Sequence, residues 1–471
     1  MLQNKDIKNL SELKSTFLSQ QKKSEFFFDF IDILKIGKFH SIFSKVKSKG
    51  ISVLLLIRIM ISFPFIDKEN IHKFTRSSYN QLMIGKDAFY RLKNNCNLNW
   101  RKFLISISLL AIKMLELRRK NDKEQLTAFV FDDTSIHKTG YKIEGVSRIW
   151  NHVIKKHILG YQLLVMGFFN GTSLLPVNFS FHRERGKKEK KKFGLKPSEY
   201  QNQFSKQRDN KSCGFKRKKE LDITKIDATA QMISFAIEQG LRAKYVLTDS
   251  WFTCWKLVKL SIDNNMHYVG MFSKVKTLFT YNNKKQTYKN IRRINRGKQK
   301  RNRKFNLYYI KTEVDWNGTR IVIYNTRKGK NGNWKTIIST DVKSNFNKTL
   351  EIYQIRWSIE VLFKEAKQML NLGKSQSNDF DGQITDVTIS FIQYIFLSIK
   401  NNVDKYETKG GVFEGTKEDI LETKLHQRLI MLLIAILEAI EIIFENIDID
   451  ELFIQMINNE EAYSKIKKLI A

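Results

Sequence analysis

The sequence predicts an α/β fold: an α/β core with a β-rich insertion, flanked by helical N- and C-terminal regions. Three observations lead there. Short β-prone apolar runs alternate with amphipathic stretches across residues 125–272. Two β-rich runs, 159–169 and 173–181, flank Asn170-Gly171, the strongest short hairpin signal. Helical periodicity dominates before residue 120 and again after 345.

Each element has its own justification. Residues 1–120 read as helical and basic, a candidate DNA-end-binding region. Apolar residues recur at helical spacing at Leu10, Leu13, Phe17 and over 26–34, with Gly37, Gly50 and Gly85 as punctuation. Residues 85–93 read as a turn and a basic helix, the form of a DNA-reading helix and equally of any surface helix. At 127–131 a β-prone run ends in Asp132 and Asp133. The hairpin follows.

Residues 183–219 hold 15 Lys/Arg and 4 Asp/Glu, a local net of 15 − 4 = +11, and read as a loop or mobile insertion that offers phosphate contacts. Residues 224–239 read as an amphipathic helix closed by Gly240, 245–248 as a strand ending at Asp249, 251–262 as a helix and 267–272 as a strand. Strand, hairpin, helix, strand, helix, strand is the element order of a ribonuclease-H-like domain, so 125–272 is its first part.

Residues 273–345 read as the β-rich insertion. Meander strands are expected at 305–314, 320–325 and 334–338, joined at Asn317-Gly318 and Asn331-Gly332 and preceded by a basic run at 292–304. A long helix is expected at 349–370, within a segment 346–384 that returns to the core. Residues 385–471 read as helical, acidic after Thr416, and as a candidate dimerisation region.

Composition narrows the function. The 471 residues carry 83 Lys+Arg against 47 Asp+Glu, a formal charge of +36. Such an excess repels itself unless a polyanion compensates it. Nucleic acid is the first candidate and an anionic membrane surface the second. Cys96, Cys213 and Cys254 are far apart and form no C-x-x-C, which fits a reducing compartment and argues against a zinc module. The start of the chain has no apolar signal core. The apolar run 51–65 is broken by Arg58, and 429–437 runs into Glu438. Both fall short of the roughly 20 residues of a membrane span and read as buried helices. His137, His152, His157 and His182 have no zinc spacing. Ser135 has no evident His partner, and no Walker A motif calls for a nucleotide cofactor.

Three acids stand out by placement. Asp132 and Asp249 each end an expected strand, where ligands of α/β sheets gather. Asp133 competes with Asp132, because side chains alternate across a strand and only one of the two can face a given side. The third is Glu360. At about 100° per residue, Tyr353, Arg356, Glu360 and Lys367 fall within roughly 60° of one helix face. A solvated face with an i, i+4 ion pair is the plain alternative.

The spacing Y-x2-R-x3-E-x6-K, at Tyr353, Arg356, Glu360 and Lys367, resembles the signature of the YREK group of DDE transposases from bacterial insertion sequences. The segment 131–135 resembles that group's strand-end D-x-T, and 246–250 its second-acid strand. The resemblance spans residues 125–375. It implies a ribonuclease-H-like core that cuts and pastes an element at its terminal inverted repeats.

Asp132, Asp249 and Glu360 would then be catalytic. Three carboxylates at one site repel unless a cation sits there, and hard oxygen donors suit two Mg²⁺ ions, with Mn²⁺ as a substitute. Arg356, Lys367, Lys364 and Tyr353 would contact DNA phosphates. Lys138 is a further phosphate candidate. Trp334, ahead of Trp316, would stack on a flipped base. The expected partners are double-stranded DNA, both inverted repeats and target, and a second copy of the chain in the DNA complex. Membrane and nucleotide cofactor are not expected, and the place of action would be the bacterial cytoplasm, on chromosomal DNA. The rival readings are an inactive descendant that only binds DNA and a structure-selective nuclease on the same fold.

Overall fold

The computed structural model describes residues 39–43, 50–68, 70–77, 80, 83–117, 125–186, 189–329, 331–404, 408–418, 458–461 and 464–465. The periodicity noted at Leu10, Leu13, Phe17 and over 26–34, and the helical reading of 419–457, lie outside these residues.

The sheet is built about β1 (Ala128–His137), whose first four residues are all buried, as expected of a strand covered on both faces. One side of β1 pairs antiparallel with β3 (Lys156–Phe169). The far edge of β3 is shared by β2 (Ser147–Asn151) and β4 (Leu174–His182). The other side of β1 pairs parallel with β5 (Tyr245–Thr248), and β5 parallel with β6 (His267–Met271). Antiparallel hairpin strands followed by two parallel additions make the ribonuclease-H-like order. At the hairpin, Asn170 Oδ1 accepts from the N–H groups of Thr172 and Ser173, and Gly171 takes φ 95°, a conformation that favours glycine.

The β-rich segment is not set apart from this core. It contains β7 (Leu278–Tyr281), β8 (Lys284–Thr287), β9 (Lys300–Asn302), β10 (Leu307–Trp316), β11 (Thr319–Lys328) and β12 (Lys335–Ser339). β12 pairs antiparallel with β6, Ile338 opposite Gly270, so all twelve strands form one mixed sheet. Trp334 lies just before β12 rather than inside it.

Helices cover the faces. In the N-terminal part, α1 (Val53–Ser62), α2 (Lys86–Lys93) and α3 (Trp100–Leu117) precede the sheet. After β4 come α4 (Cys213–Lys219), α5 (Lys225–Glu238) and α6 (Trp255–Asp263), then α7 (Phe346–Gln354), α8 (Trp357–Met369) and α9 (Phe380–Asp404). Gln393 of α9 donates to the carbonyls of Met60 and Ile61, and Lys93 of α2 pairs with Asp386 at 2.8 Å, so α9 ties the N-terminal helices to the core. The Thr224 side chain caps α5, and Gly240 follows it at φ 84°. Among the described residues no helix is long and apolar enough to cross a membrane.

Three expectations are corrected. The single helix over 349–370 is two, α7 and α8. The helix expected from 251 begins at Trp255. The segment 183–219 is not a solvated loop throughout. It contains α4, and it folds three of its cations, Lys206, Arg208 and Lys218, onto Glu144, Asp379 and Asp381. The Arg208 side chain is 1% exposed in that knot.

Candidate active site

The parallel pairing of β1 with β5 ends at Val130 opposite Leu247. Asp132 and Asp249 each lie two residues beyond that last pair, so both emerge at the same end of the parallel strands. β1 itself continues to His137, which places Asp132 within the strand rather than at its end. Strand alternation then separates the neighbours. Asp132 and Thr134 meet α8: Arg356 Nη1 donates to Asp132 Oδ2 at 2.8 Å, and Lys367 Nζ donates to Thr134 Oγ1 at 2.7 Å. Asp133 instead meets the start of α5, where Lys225 Nζ lies 2.9 Å from its Oδ2.

Asp249 is held by a turn of its own making. Its Oδ1 accepts the N–H groups of Trp251 at 2.9 Å and Phe252 at 3.2 Å, and Thr253 Oγ1 donates to its carbonyl. Such side-chain turns compete with helix formation, which delays α6 to Trp255.

Glu360 arrives on α8. The step from α7 to α8 is a tightening: Arg356 N–H bonds to Tyr353 O, Ser358 N–H to Ile355 O and Ile359 N–H to Arg356 O, all three residues back. Arg356 Nη2 donates to Glu360 Oε1 at 2.5 Å. One guanidinium therefore bridges the helix acid to a strand acid that lies 224 residues before the arginine in sequence.

Electrostatics agree with this crowding. Burial pushes the Asp132 carboxyl up to about 7, against the pull of Arg356 and of the Asp133 N–H, and the charges of Asp133 and Asp249 push the same way. Burial also pushes the Tyr353 phenol up to about 12, with Arg356 opposing and Asp249 adding. Asp249 is thus within electrostatic reach of both Asp132 and Tyr353. Burial works against the charge of Arg356, yet Tyr353, Glu360 and Asp132 hold its pKa above the ordinary value.

The other residues singled out from sequence are scattered. Lys364 is exposed on α8. Lys367 is half-buried against β1, and burial lowers its pKa. Lys138 is corrected: it is 1% exposed, and its ammonium donates to the carbonyls of Gly373 and Ser375, so it braces a loop and presents nothing to a phosphate. Trp316 is buried among Trp255, Phe272 and Phe279, a core position. Trp334 has Arg327 Cζ 4.7 Å and Arg292 Cζ 5.2 Å from its ring. The register places Arg301, Tyr308 and Arg327 as neighbours in one row, with Trp334 against Arg327, at the same end of the sheet as Asp249. His182 is a satisfied core histidine, between Ser180 Oγ and the Ile223 carbonyl.

Two exposed tryptophans escaped the sequence reading. Trp251, 48% exposed, stands two residues after Asp249 with Lys225 Nζ 4.6 Å from its ring. Trp357, 59% exposed, follows Arg356, whose Cζ is 5.7 Å from the indole. Adjacency in sequence to a candidate acid and to its cation was the available signal.

The fold is ribonuclease-H-like, with Asp132 and Asp249 at the carboxyl end of its parallel strands and Glu360 joined to Asp132 through Arg356. Residues 88–320 match the family described as DDE superfamily endonuclease. That span contains Asp132 and Asp249 and ends before Glu360. The match supports a DDE-type transposase or endonuclease, a nuclease-type enzyme with DNA as its substrate. No curated protein matches the chain.

Nucleases of this superfamily generally use divalent metals. The donor set of Asp132, Asp249 and Glu360 fits such an ion in chemistry, being all hard oxygen. It does not fit in arrangement, because Arg356 holds Asp132 and Glu360. Among the described residues no group of three or more His, Cys, Asp or Glu side chains is placed to hold a metal.

Proposed function

We propose that this chain is a DNA transposase of the YREK group that moves an insertion sequence by cut and paste, cleaving strands at terminal inverted repeats and transferring the ends to target DNA. One observation carries the reading: Arg356 joins Asp132, from the central strand, to Glu360, from a helix of the far C-terminal half, with Asp249 within electrostatic reach. A merely structural ion pair would not require a third, buried-strand acid at the same sheet end.

In this reading Asp132, Asp249 and Glu360 would hold two Mg²⁺ ions, replaceable by Mn²⁺, only with Asp132 and Glu360 released from Arg356, and the ions would supply charge neutralisation for phosphoryl displacement. The sheet fixes Asp132, the turn that follows β5 fixes Asp249, and α8 presents Glu360. Lys364 and Arg356 face DNA phosphates near the scissile bond, while Tyr353, 6% exposed, and Lys367, engaged by Thr134, are withdrawn from the phosphate contacts the sequence suggested; Tyr353 favours the charge of Arg356 instead, and Trp334 stacks on an unpaired base. The basic N-terminal region 1–120 grips the element's end. Two copies of the chain hold the two ends, and the reaction takes place in the bacterial cytoplasm.

The test uses DNA flanking the coding region, searched for short inverted repeats and offered as end fragments with Mg²⁺. The Asp249→Ala protein binds those ends and does not nick them. Undiminished nicking by Asp249→Ala removes the assignment. Cleavage that follows branched structure rather than the repeat sequence transfers the reading to a structure-selective nuclease.

A further inference from the structure

The ribbon of β2 and β3 outruns the rest of the sheet. β1 ends at His137, opposite Gly160, and β4 ends at His182, opposite Gln162. Beyond those pairs β3 continues with β2, from Arg148 opposite Leu159 to Asn151 opposite Lys156. The ribbon therefore leaves the sheet past the carboxyl end of β1, the end where Asp132 and Asp249 emerge. Its base is packed and its tip is not. Ile149 and Leu159 are buried, whereas Val153 is 90% and Ile154 53% exposed. His152, Lys155, Lys156 and His157 are exposed around them, and residues 147–158 contain Arg148 and these two lysines without a single acid. The tip is also held in shape. Asn151 Oδ1 accepts the N–H groups of Val153 at 2.9 Å and Ile154 at 3.2 Å. Lys155 takes φ 50°, a left-handed conformation that glycine or asparagine ordinarily fills. Trp150 braces the base: its N–H donates to Glu184 Oε1 at 2.8 Å, its carbonyl accepts from Gln162 Nε2 at 2.9 Å, and its ring meets His157 edge-on at 5.0 Å.

We propose that this tip is an apolar wedge for DNA: Val153 and Ile154 enter the minor groove and part a base step, while Lys155 and Lys156 take the neighbouring phosphates. The inference deepens the DNA reading of the site and rests on it. Aliphatic side chains flanked by cations are suited to this, because the apolar groups replace part of the lost stacking and the cations hold the backbone. Valine and isoleucine, branched at Cβ, have few rotamers to lose on being enclosed, and the turn that carries them is already ordered. An anionic lipid surface would suit the same chemistry. DNA is favoured because the ribbon shares its sheet end with the candidate acids and because the family match makes DNA the substrate. The register also sets a distance. From Val165, opposite Asp132, to Lys156 is a run of nine residues along β3. At about 3.4 Å per residue the tip stands roughly 30 Å from that acid along the strand, so on a duplex lying along the ribbon the parted step is about nine base steps from the scissile phosphate.

The experiment binds the full chain to a mixed-sequence duplex carrying 2-aminopurine at several positions, whose fluorescence rises when neighbouring bases unstack. It is run in chelator, so that no strand is cut, and at several salt concentrations. Val153→Ser combined with Ile154→Ser is expected to bind about tenfold more weakly and to lose most of the fluorescence rise. Its slope of log affinity against log salt is expected to match wild type, since no phosphate contact is removed. Lys155→Gln combined with Lys156→Gln is expected to lower that slope by about two. All four side chains are exposed, so the melting temperatures of both variants should equal that of wild type. A fluorescence rise in the serine variant equal to that of wild type overturns the wedge, whatever its affinity. Phosphatidylglycerol vesicles form the second arm: capture of wild type but not of the serine variant, with equal DNA binding by both, moves the tip to a lipid surface. A wild-type chain that leaves the duplex unbound overturns the DNA reading itself, so the two failures are distinct.

Discussion

Lys367 donates from Nζ to Thr134 Oγ1 at 2.7 Å, and the same ammonium reaches the Ser135 carbonyl at 3.1 Å. Eleven residues before it on the same chain, Arg356 holds Asp132. The helix bearing Glu360 is thus fastened to the strand bearing Asp132 at two points, above and below the acid.

The second fastening has a measurable consequence. Lys367→Ala should lower stability by about 1–3 kcal/mol, the cost of leaving partly buried acceptors unpaired. Its DNA-binding salt dependence should match wild type. Lys364→Ala, from an exposed position, should reduce the slope of log affinity against log salt by about one. Denaturant unfolding and filter binding at several salt concentrations read the two effects. A reduced salt slope in Lys367→Ala would return that lysine to the phosphates.

Asp132 makes metal binding depend on pH. Burial pushes its carboxyl up to about 7 in the folded chain, from 3.8 for an ordinary carboxyl. Only the ionised form is a ligand, so Mn²⁺ affinity should rise as pH climbs through about 7. Stability of the metal-free protein moves the other way. Across the window from 3.8 to about 7 the folded chain holds a proton that the unfolded chain releases, so stability falls as pH rises there and stays lower above it. Asp132→Asn removes that group's titration. Thermal melting of the two proteins across this window should show wild type losing stability relative to the variant, and parallel curves would refute the assignment.

The buried knot about Arg208 should be unforgiving. Its guanidinium donates to Glu144, Asp379 and Asp381, all nearly sealed from solvent. Arg208→Met leaves those charges with fewer partners and should cost roughly 3–5 kcal/mol, measured by denaturant unfolding. A loss within the range of a surface substitution would mean that Lys206 and Lys218 carry the neutralisation alone.

Local chemistry made much of this legible from sequence. The Thr224 cap and Gly240 bracket α5, Asn170-Gly171 turns the hairpin, and the short apolar strand closing on Asp249 is where it was expected. What failed depended on distant partners. Lys206 and Arg208 look solvated in a run of cations because their acids lie at Glu144, Asp379 and Asp381. Lys138 looks like a phosphate contact until the carbonyls of Gly373 and Ser375 close on it. The tightening at Arg356 has no glycine or proline to announce it, and it brings together groups that periodicity places only on a common face. Whether Asp132 or Asp133 faces Glu360 was open in the sequence, and α8 meeting one side of β1 while α5 meets the other separates them.

The unbroken sheet has a metric consequence. Since β12 is hydrogen-bonded to β6, the path from β5 to β10 runs through β6, β12 and β11, four steps with no hinge. At about 4.8 Å per step, Tyr308 on β10 stands roughly 19 Å from the strand that delivers Asp249, with Arg301 on β9 one step further. A duplex lying across this end would be gauged over about six base steps of 3.4 Å each. Hydrogen-bonded strand spacing, and not a linker, sets that separation.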